Sequence, residues 1–402
     1  MPGCLALAVD ESAGLPDARA CCSKSVTSIR PKGSCYTSLL KHSIPGEVLH
    51  VSKVDIVVPV YNAGPKLHAC IRSILLQSFS DWRLLLVDDG SSDGSDLLCK
   101  QYALQDSRIA YVRQSHSGSI SARRRGLELS EAPYILYMDA DDWADARLLE
   151  KLAEAAYADS ADIAVCNLYK VMNGSAWPRR SNSSWYFKGH KLYDADEIRS
   201  ELVPAFLHGH PFPPQLHGKL YKRELLMASG HYASRIRFFG DDLFLNLEMF
   251  LKARSVRIIP DVLYFYRAGG ATSRYMPHLF HDMVNGFLIQ KEVVESHYRH
   301  QPHAHYFGIR VMLLNTLRTC LRNLSMGRLP EQDRLLRISE YCAHPAVLEC
   351  VGDKETAAYF PLRYIRAIQN GDARYLSRLG KRDYQMSLPK KMIMYAIAKI
   401  SF

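Results

Sequence analysis

Residues 134–143, with the sequence YILYMDADDW, join a short apolar segment to three carboxylates at Asp139, Asp141 and Asp142. The apolar segment predicts a buried strand. Because side chains alternate along a strand, Asp139 and Asp141 should leave one face and Ala140 the other. Carboxylates this close repel each other unless a cation or hydrogen-bond donors are present. Oxygen ligands suit Mg²⁺ or Mn²⁺, and such an ion usually holds a phosphate or diphosphate too. A solvated acidic turn that caps the next helix is the alternative.

A second carboxylate pair, Asp241 and Asp242, follows the apolar residues 236–239 and opens the stretch DDLFLNLEMFLKA. The apolar periodicity of this stretch predicts an amphipathic helix with the pair in its first turn. A carboxylate at a helix N-terminus is stabilised in its ionised form. A helix cap alone would explain one of the two aspartates, so this alternative stays open.

The segments around these carboxylates alternate between strand and helix patterns. The apolar run at residues 84–87 is too continuous for a half-exposed strand and is typical of a central parallel one. The predicted elements are strand 54–62, helix 65–76, strand 84–87, a helix from about 93 to 104, strand 108–113, a helix after residue 117, and the strand that ends at residue 139. This alternation predicts an α/β fold with a doubly wound sheet.

Polar side chains follow three of these strands at the carboxyl ends, where ligands bind in open α/β sheets. They are Tyr61 and Asn62 after the first strand, Asp88 and Asp89 after the second, and Asp139 and Asp141 after the fourth. With the basic helix start at residues 123–125, this edge could bind a metal, a base or ribose, and phosphates. Each element alone could be a loop or a cap. The chain lacks GxGxxG after the first strand and lacks GxxxxGKS/T, which disfavours a dinucleotide oxidoreductase and a P-loop NTPase.

The motifs PVYNAG, LLLVDDGSSDGS and YMDADDW, in this order and spacing, resemble the nucleotide-sugar-binding half of family-2 inverting glycosyltransferases. The relevant members are of the bacterial cell-surface or capsular polysaccharide type. The resemblance is strong over residues 54–143 and continues loosely to about residue 274. It implies a GT-A-like α/β fold, with a doubly wound, mainly parallel central sheet flanked by helices and a C-terminal helical region.

The resemblance also implies roles for individual residues. Tyr61 and Asp89 would contact uracil or another base. Asp139 would contact the ribose or support the metal, and Asp141 would ligate Mg²⁺ or Mn²⁺ at the diphosphate. The donor-site candidates are Pro59, Tyr61, Asn62, Asp88, Asp89, Arg123, Asp139, Ala140, Lys219 and Arg267, with Asp139 and Asp141 as metal ligands. The family often has Asn where this chain has Arg124, which could favour a more anionic donor or hold the diphosphate.

By the same resemblance, Asp242 would be the general base, with Asp241 where the family commonly has Glu. Such a base takes the proton of the acceptor hydroxyl as that oxygen attacks the sugar C1 opposite the diphosphate. The metal neutralises charge on the leaving diphosphate, and direct displacement inverts C1. Lys219, in GKLYKRELL, would lie near the active site. Arg267 and Arg274 could close over the diphosphate or hold an acceptor phosphate, although a solvated turn is equally compatible.

Composition restricts the class of protein. The chain has 402 residues, of which 48% are hydrophobic, enough for a sizeable core and typically two domains. The net charge of +10 favours polyanionic partners. The basic residues are spread out and no binding motif accompanies them, so we expect no nucleic acid partner. The ten cysteines lack metal-ligand spacing and the N-terminus lacks a signal-peptide pattern, so we expect a cytoplasmic protein with reduced thiols.

The predicted domains are a weakly ordered extension at residues 1–50, a glycosyltransferase domain at residues 51–275, and a helical region at residues 276–402. Within the middle domain, residues 51–143 would bind the nucleotide sugar and residues 144–275 the acceptor. No apolar run reaches the ~18 to 20 residues that span a bilayer.

Residues 389–402 mix lysines with apolar residues and predict a basic amphipathic helix. This helix could contact an anionic membrane peripherally, on the inner face of the cell membrane. It could equally pack on its own domain.

Two further groups of residues have more than one interpretation. Trp177 and Trp185 could stack on sugar rings, although partly buried core tryptophans are the preferred interpretation. His208, His210 and His217 could bind a metal. The prolines between them favour a structured loop on the acceptor side instead.

We therefore expect a metal-dependent inverting glycosyltransferase that moves a sugar from a nucleotide diphosphate sugar, with a UDP-sugar as the expected donor. The acceptor would be a hydroxyl of a glycan or a lipid-linked glycan. A non-catalytic nucleotide- or glycan-binding protein on the same fold is the main alternative. A sugar-1-phosphate nucleotidyltransferase would need a Gly-rich, Arg-containing loop after the first strand, which PVYNAGPK lacks.

Overall fold

The computed structural model describes residues 51–172, 179–209, 211–268, 275–327 and 329–400, with side chains to residue 388 other than those of Met172, Arg179 and Ala268. Several predictions concern residues outside these ranges. They are the extension at 1–50, Trp177, His210, Gly269, Gly270, Arg274 and the side chains of the helix at 389–402.

The first half of the domain alternates strand and helix as predicted. Its elements are β1 (Val54–Val60), α1 (Lys66–Leu75), β2 (Trp82–Asp88), α2 (Ser95–Gln105), β3 (Ile109–Arg113), α3 (Ser119–Leu129) and β4 (Tyr134–Tyr137). Strand β1 pairs in parallel with β2 and β4, so that Val57 lies opposite Leu85 on one side and Tyr137 on the other. Strand β3 pairs in parallel with the outer side of β2. The carboxyl ends of these strands therefore meet at one edge of the sheet.

The second half extends the sheet with both parallel and antiparallel strands. Its strands are β5 (Trp143–Ala144), β6 (Ile163–Met172), β7 (Arg179–Ser181), β8 (Lys191–Asp194), β9 (Lys219–Lys222) and β10 (Ser255–Ala268). Its helices are α4 (Leu148–Ala158), α5 (Ala195–Glu197), the π-helix Ile198–Leu202, α6 (Val203–His208), α7 (Arg223–Met227) and α8 (Asp241–Lys252), with short 3-10 turns at Trp185–Phe187 and Ala233–Arg235. The strand order is β3-β2-β1-β4-β9-β6-β10-β5, with β7 beside β6 and β8 beside β10. Strand β9 lies antiparallel between β4 and β6, whereas β6 and β10 are parallel.

Two apolar layers cover the two faces of the sheet. Along β1, Val57 packs into one layer while Ile56 and Val58 pack into the other, as alternation requires. Helix α3 lies against β1 so closely that a Cβ on Gly126 would come within 2.3 Å of Val57 Cγ1. This contact fixes the start of α3, and with it Arg123, at the carboxyl edge of the sheet.

Helices follow the sheet, as predicted. They are α9 (Leu279–His297), α10 (Pro302–Met326), α11 (Glu331–Ala343), α12 (Pro345–Gly352), α13 (Lys354–Tyr359), α14 (Leu362–Gln369) and α15 (Ala373–Ile400). They are anchored to the first part of the chain through polar contacts. Gln290 donates to the carbonyl oxygens of Phe206 and Leu207 at 3.1 and 2.8 Å. Among the described residues, no helix has the length and apolar character needed to cross a membrane.

The α/β prediction with a mainly parallel central sheet and a helical C-terminal region is confirmed, but two local predictions are wrong. Strand β4 ends at Tyr137, and the chain then turns, with the Asp142 amide donating to the Asp139 carbonyl at 3.1 Å. Strand alternation therefore does not position Asp139 and Asp141. The interpretation of Trp185 as a partly buried core residue fails because it is 55% exposed on a short 3-10 turn.

Candidate active site at the carboxyl edge of the sheet

A cleft of about 780 Å³ opens at the carboxyl ends of β1, β2 and β4. The predicted residues that line it are Pro59, Tyr61, Asn62, Asp89, Arg123, Asp139, Ala140, Asp141 and Arg267. The opposite wall comes from Phe238 and Phe239 and from residues 275–279 at the start of the C-terminal helices. The volume lies within the usual range for small-molecule sites.

The loop after β1 is held open by hydrogen bonds to the loop after β2. Asn62 has a left-handed φ of 47°, a conformation that Asn tolerates better than most residues. Its amide donates to Ser91 Oγ at 3.1 Å, and its Oδ1 accepts from the Ser92 amide at 2.9 Å. These contacts leave the ring of Tyr61, 49% exposed, facing the cleft.

Asp88 and Asp89 differ in position although they are adjacent. Asp89 lines the cleft, whereas Asp88 is fully buried and is not among the described residues that line it. The Asp88 carboxylate accepts from the Ser91 amide at 3.0 Å and from the Tyr111 hydroxyl at 3.3 Å. The structure therefore gives Asp88 a part in holding the loop, and donor contact by Asp88 stays a prediction.

Asp139, Asp142 and His217 come together beneath the cleft, with one ligand atom from each lying within 4.8 Å of the others. His217 is 3% exposed and stacks between Tyr264 and Tyr266, at centroid distances of 4.6 and 5.0 Å. His217 Nδ1 lies 3.5 Å from Asp139 Oδ2, and Nε2 has no hydrogen-bond partner among the described residues. Buried polar atoms without partners are rare, and two carboxylates with an imidazole form a donor set that divalent metals accept. These three side chains could hold a divalent cation.

Charges at this cluster agree with a cation site. Burial, followed by the charge of Asp139, raises the pKa of Asp142 well above its ordinary value. Burial alone would also raise the pKa of Asp139, but His217 and the charge of Arg123 outweigh it, so this pKa is lowered. Asp142 accepts from the Tyr264 hydroxyl at 2.9 Å and from the Arg267 amide at 2.7 Å. A cation would offset the repulsion between these two carboxylates.

Arg123 joins the two carboxylate groups of the site. Its Nη2 donates to Asp139 at 2.9 Å, and its Nη1 donates to Asp241 and Asp242 at 3.2 and 2.9 Å. Burial by itself would lower the pKa of Arg123, but the charges of Asp242, Asp139 and Asp241 outweigh it and raise this pKa. The guanidinium thus stays charged and holds the start of α8 against the carboxyl end of β4.

Asp241 and Asp242 lie in the first turn of α8, as predicted. Burial and then the charge of Asp242 raise the pKa of Asp241 to about 7. Asp241 lines a second, apolar pocket of about 230 Å³, and Arg123 lines both this pocket and the cleft. Asp242 is not among the described residues that line either cavity, so the carboxylate pair reaches the cleft only through Arg123.

The sequence profile of Glycosyl transferase family 2 matches residues 55–230, which include Tyr61, Asp89, Asp139 and His217. The domain at residues 55–230 belongs to glycosyl transferase family 2.

Relatives of this family-2 domain carry glycosyltransferase names. EpsJ of Bacillus subtilis, an uncharacterized glycosyltransferase, is 32% identical over 226 residues, covering 56% of this chain and 64% of EpsJ. Cholesterol galactosyltransferase of Borreliella burgdorferi is 28% identical over 232 residues, again covering 56% and 64%. The chain thus spans about 64% of the length of each of these two relatives.

The crystal structure of S. aureus TarS 1-349 matches the fold with a TM-score of 0.55 and 16% identity. The match covers 83% of this chain and 92% of the TarS fragment. TarS 1-349 has also been solved in complex with UDP-GlcNAc, and that structure matches with a TM-score of 0.57 and 17% identity. The shared architecture is the GT-A fold.

Lys219 and Arg124 do not line the cleft, whereas Asp141 lines it beside a lysine. Lys219 is fully buried on β9, and its Nζ donates to the carbonyl oxygens of Pro213, at 2.9 Å, and Gln215. Burial lowers the pKa of Lys219 to about 7. Arg124 lines the apolar pocket instead and pairs with Glu128 at 3.3 Å. Asp141 does line the cleft but lies 3.5 Å from the Lys66 ammonium.

Sequence reasoning missed Asp142 and His217 as members of one cluster. Asp142 was visible as a carboxylate, but the assumed strand paired Asp139 with Asp141 instead. The prolines around His217 favour a structured loop over metal binding. Its neighbours Asp139 and Asp142 after β4, and Tyr264 and Tyr266 on β10, are distant in sequence, so no local pattern identifies it.

Proposed function

We propose that the chain is a metal-dependent inverting glycosyltransferase that moves a sugar from a nucleotide diphosphate sugar to an acceptor hydroxyl. The observation that carries this proposal is the Arg123 bridge. It links Asp139, a member of the candidate metal cluster, to a carboxylate pair that could accept a proton. The group that stabilises the leaving diphosphate and the group that takes the proton of the acceptor would then lie within one continuous site.

The proposed donor is a UDP-sugar in the cleft of about 780 Å³. The exposed ring of Tyr61 would stack on the base, and Asp89 would accept a hydrogen bond from an N–H at its edge. Pro59, Asn62 and Ala140 would shape the surrounding wall. Arg267, which also lines the cleft and whose Nε donates to the Asp141 carbonyl at 2.6 Å, would lie near the diphosphate. The UDP-GlcNAc complex of TarS supports this choice of donor.

The proposed metal is Mg²⁺ or Mn²⁺, held by Asp139, Asp142 and His217, with Asp141 as a further ligand from the rim of the cleft. When bound, such an ion neutralises charge that develops on a leaving diphosphate. The buried Nε2 of His217, which has no hydrogen-bond partner among the described residues, supports an ion at this position.

Asp242 is the proposed general base, with Asp241 beside it. The acceptor oxygen forms a bond to the sugar C1 while the bond from C1 to the diphosphate oxygen breaks, and the hydroxyl proton passes to the carboxylate. Nucleoside diphosphate leaves, and attack from the opposite face inverts C1. A carboxyl with a pKa of about 7, such as that of Asp241, can share this proton near neutral pH.

The acceptor is proposed to be a glycan or a lipid-linked glycan that approaches from the side of Asp241. The apolar pocket of about 230 Å³ beside Asp241 supports an acceptor with an apolar portion. A cytoplasmic enzyme with peripheral membrane contact through residues 389–402 would be compatible with a lipid-linked acceptor. The boundaries 51–275 and 276–402 remain our proposed domains.

The test is release of nucleoside diphosphate from a panel of nucleotide sugars, with water or added glycosides as acceptor and with Mg²⁺ or Mn²⁺. We expect the wild type to release UDP from at least one UDP-sugar. Asp242→Asn, which keeps the side-chain size but cannot take the proton, should be slower by about 100-fold or more. Its UDP affinity should match the wild type. Binding of donors without release by the wild type would indicate a non-catalytic binding protein instead.

A further inference from the structure

The imidazole of His116 lies inside the cleft, in contact with Tyr61 and Asp89, the two residues proposed to bind the nucleobase of the donor. It stacks on the ring of Tyr61 with centroids 4.0 Å apart and an interplanar angle of 19°. Its Nδ1 lies 2.9 Å from Asp89 Oδ2 and 3.2 Å from the Asp89 carbonyl oxygen. Both of these atoms are acceptors, so Nδ1 carries the proton and donates. The side chain is 56% exposed, which means that little other than these contacts holds it.

His116 completes the set of donors around Asp89. A carboxylate offers about four acceptor positions. Besides His116, they are used by the amides of Ser117 and Gly118 and by Gln114 Nε2, each at 2.8 Å. The two amides belong to the loop that leads into α3, and Gln114 also lies 3.2 Å from Ser121 Oγ. Two of the four donors are side chains: Gln114 is also held by Ser121, whereas the half-exposed imidazole of His116 can leave Asp89 by a side-chain rotation.

We infer that His116 is a built-in substitute for the nucleobase, and that the donor's base must displace it to bind. The inference rests on the proposed function and concerns the same cleft. The proposed nucleobase would stack on Tyr61 and donate an N–H to Asp89. The imidazole of His116 already makes both of these contacts. A ring cannot enter between His116 and Tyr61 at a centroid distance of 4.0 Å, since stacked rings are already in contact at that spacing.

The same geometry names the class of base that fits. Uracil and guanine carry a ring N–H at the hydrogen-bonding edge and can reproduce the donation of His116 Nδ1 to Asp89. Cytosine and adenine present a ring nitrogen acceptor at the corresponding position, which would face the carboxylate. Because a buried acceptor facing another acceptor is unfavourable, the site should prefer UDP to CDP, two nucleotides of nearly the same size.

The experiment is calorimetric titration of UDP, CDP and pyrophosphate, with Mn²⁺, into the wild type, His116→Ala and His116→Phe. His303→Ala is the matched control, because His303 is an exposed histidine on α10. Removing the competing ring and its N–H should make UDP bind about tenfold more tightly to His116→Ala. Pyrophosphate has no base, so its affinity should stay at the wild-type value. His116→Phe keeps a stacking ring but lacks the N–H, so its UDP affinity should lie between those of the wild type and His116→Ala.

Displacement also has a direct structural readout. In the nucleotide-free wild type, NMR should show contacts between the ring protons of His116 and Tyr61, and these contacts should disappear on addition of UDP.

Equal or weaker UDP binding by His116→Ala, or ring contacts that persist with UDP bound, would overturn the inference and leave the proposed function intact. Failure of every protein to bind any nucleotide would overturn the proposed function as well.

Discussion

At the scale of single residues, the site depends on charges that are buried together. Arg123 is 8% exposed and contacts three carboxylates on two different elements. Buried charges are tolerated only when they are paired and hydrogen-bonded, so each member of this group restricts where the others can lie. A guanidinium can do this because its fork reaches partners in two directions. The arrangement explains how the sheet edge and α8 form one site.

His217 provides the sharpest test of the metal cluster. His217→Phe keeps an aromatic ring between Tyr264 and Tyr266 but removes both nitrogen donors. We expect Mn²⁺ affinity, measured by calorimetry, to fall by about tenfold or more, the usual effect of losing a ligand or its support.

The fold should remain, because the stacking surface is retained. His231→Phe is the matched control, since His231 is exposed and next to Tyr232. Unchanged Mn²⁺ affinity in His217→Phe would show that His217 does not hold the ion.

At the scale of elements, the close packing of α3 on β1 places Arg123. A Cβ at Gly126 would meet Val57 Cγ1, Cγ2 and Cβ at 2.3, 3.0 and 3.2 Å. Val57 is fully buried on a central strand and has no room to yield. We expect Gly126→Ala to lower the free energy of unfolding by about 1–3 kcal/mol, as overpacking does, when measured by urea denaturation.

Gly352→Ala, near the end of α12, is the control because no atom lies within 4 Å of its added Cβ. That substitution should leave stability unchanged or raise it by up to about 1 kcal/mol, since alanine is the better helix former. Equal stabilities of the two variants would mean that α3 does not pack on β1 as described.

The elements differ in how well their sequence predicted them. The β1 and β2 runs are continuously apolar, which is why a buried parallel sheet with polar residues at its carboxyl edge could be predicted. The end of β4 could not be predicted, because Met138 and Ala140 continue the apolar pattern beyond Tyr137. His217 could not be joined to Asp139 and Asp142 either. The short strand β9 that follows it enters the sheet antiparallel, between strands from distant parts of the chain.

At the scale of the molecule, the helices after the sheet complete the cleft. Residues 275–279 and Asp282 line it opposite Tyr61 and Asp89. Asn323 on α10 holds this wall through hydrogen bonds to both the amide and the carbonyl of Met276, at 2.9 and 2.7 Å. The helical region therefore contributes to the cleft as well as to the fold. A fragment that ended at residue 275 would lose this wall.

The central claim is that this cleft binds a nucleoside diphosphate together with a divalent metal. Calorimetric titration of UDP into the wild-type chain, with Mn²⁺ and again after metal removal with EDTA, tests it most directly. The account predicts saturable UDP binding with Mn²⁺ that weakens by about tenfold or more in EDTA, a change of at least about 1.4 kcal/mol. Equal UDP affinity in both conditions, or no UDP binding in either, would contradict it.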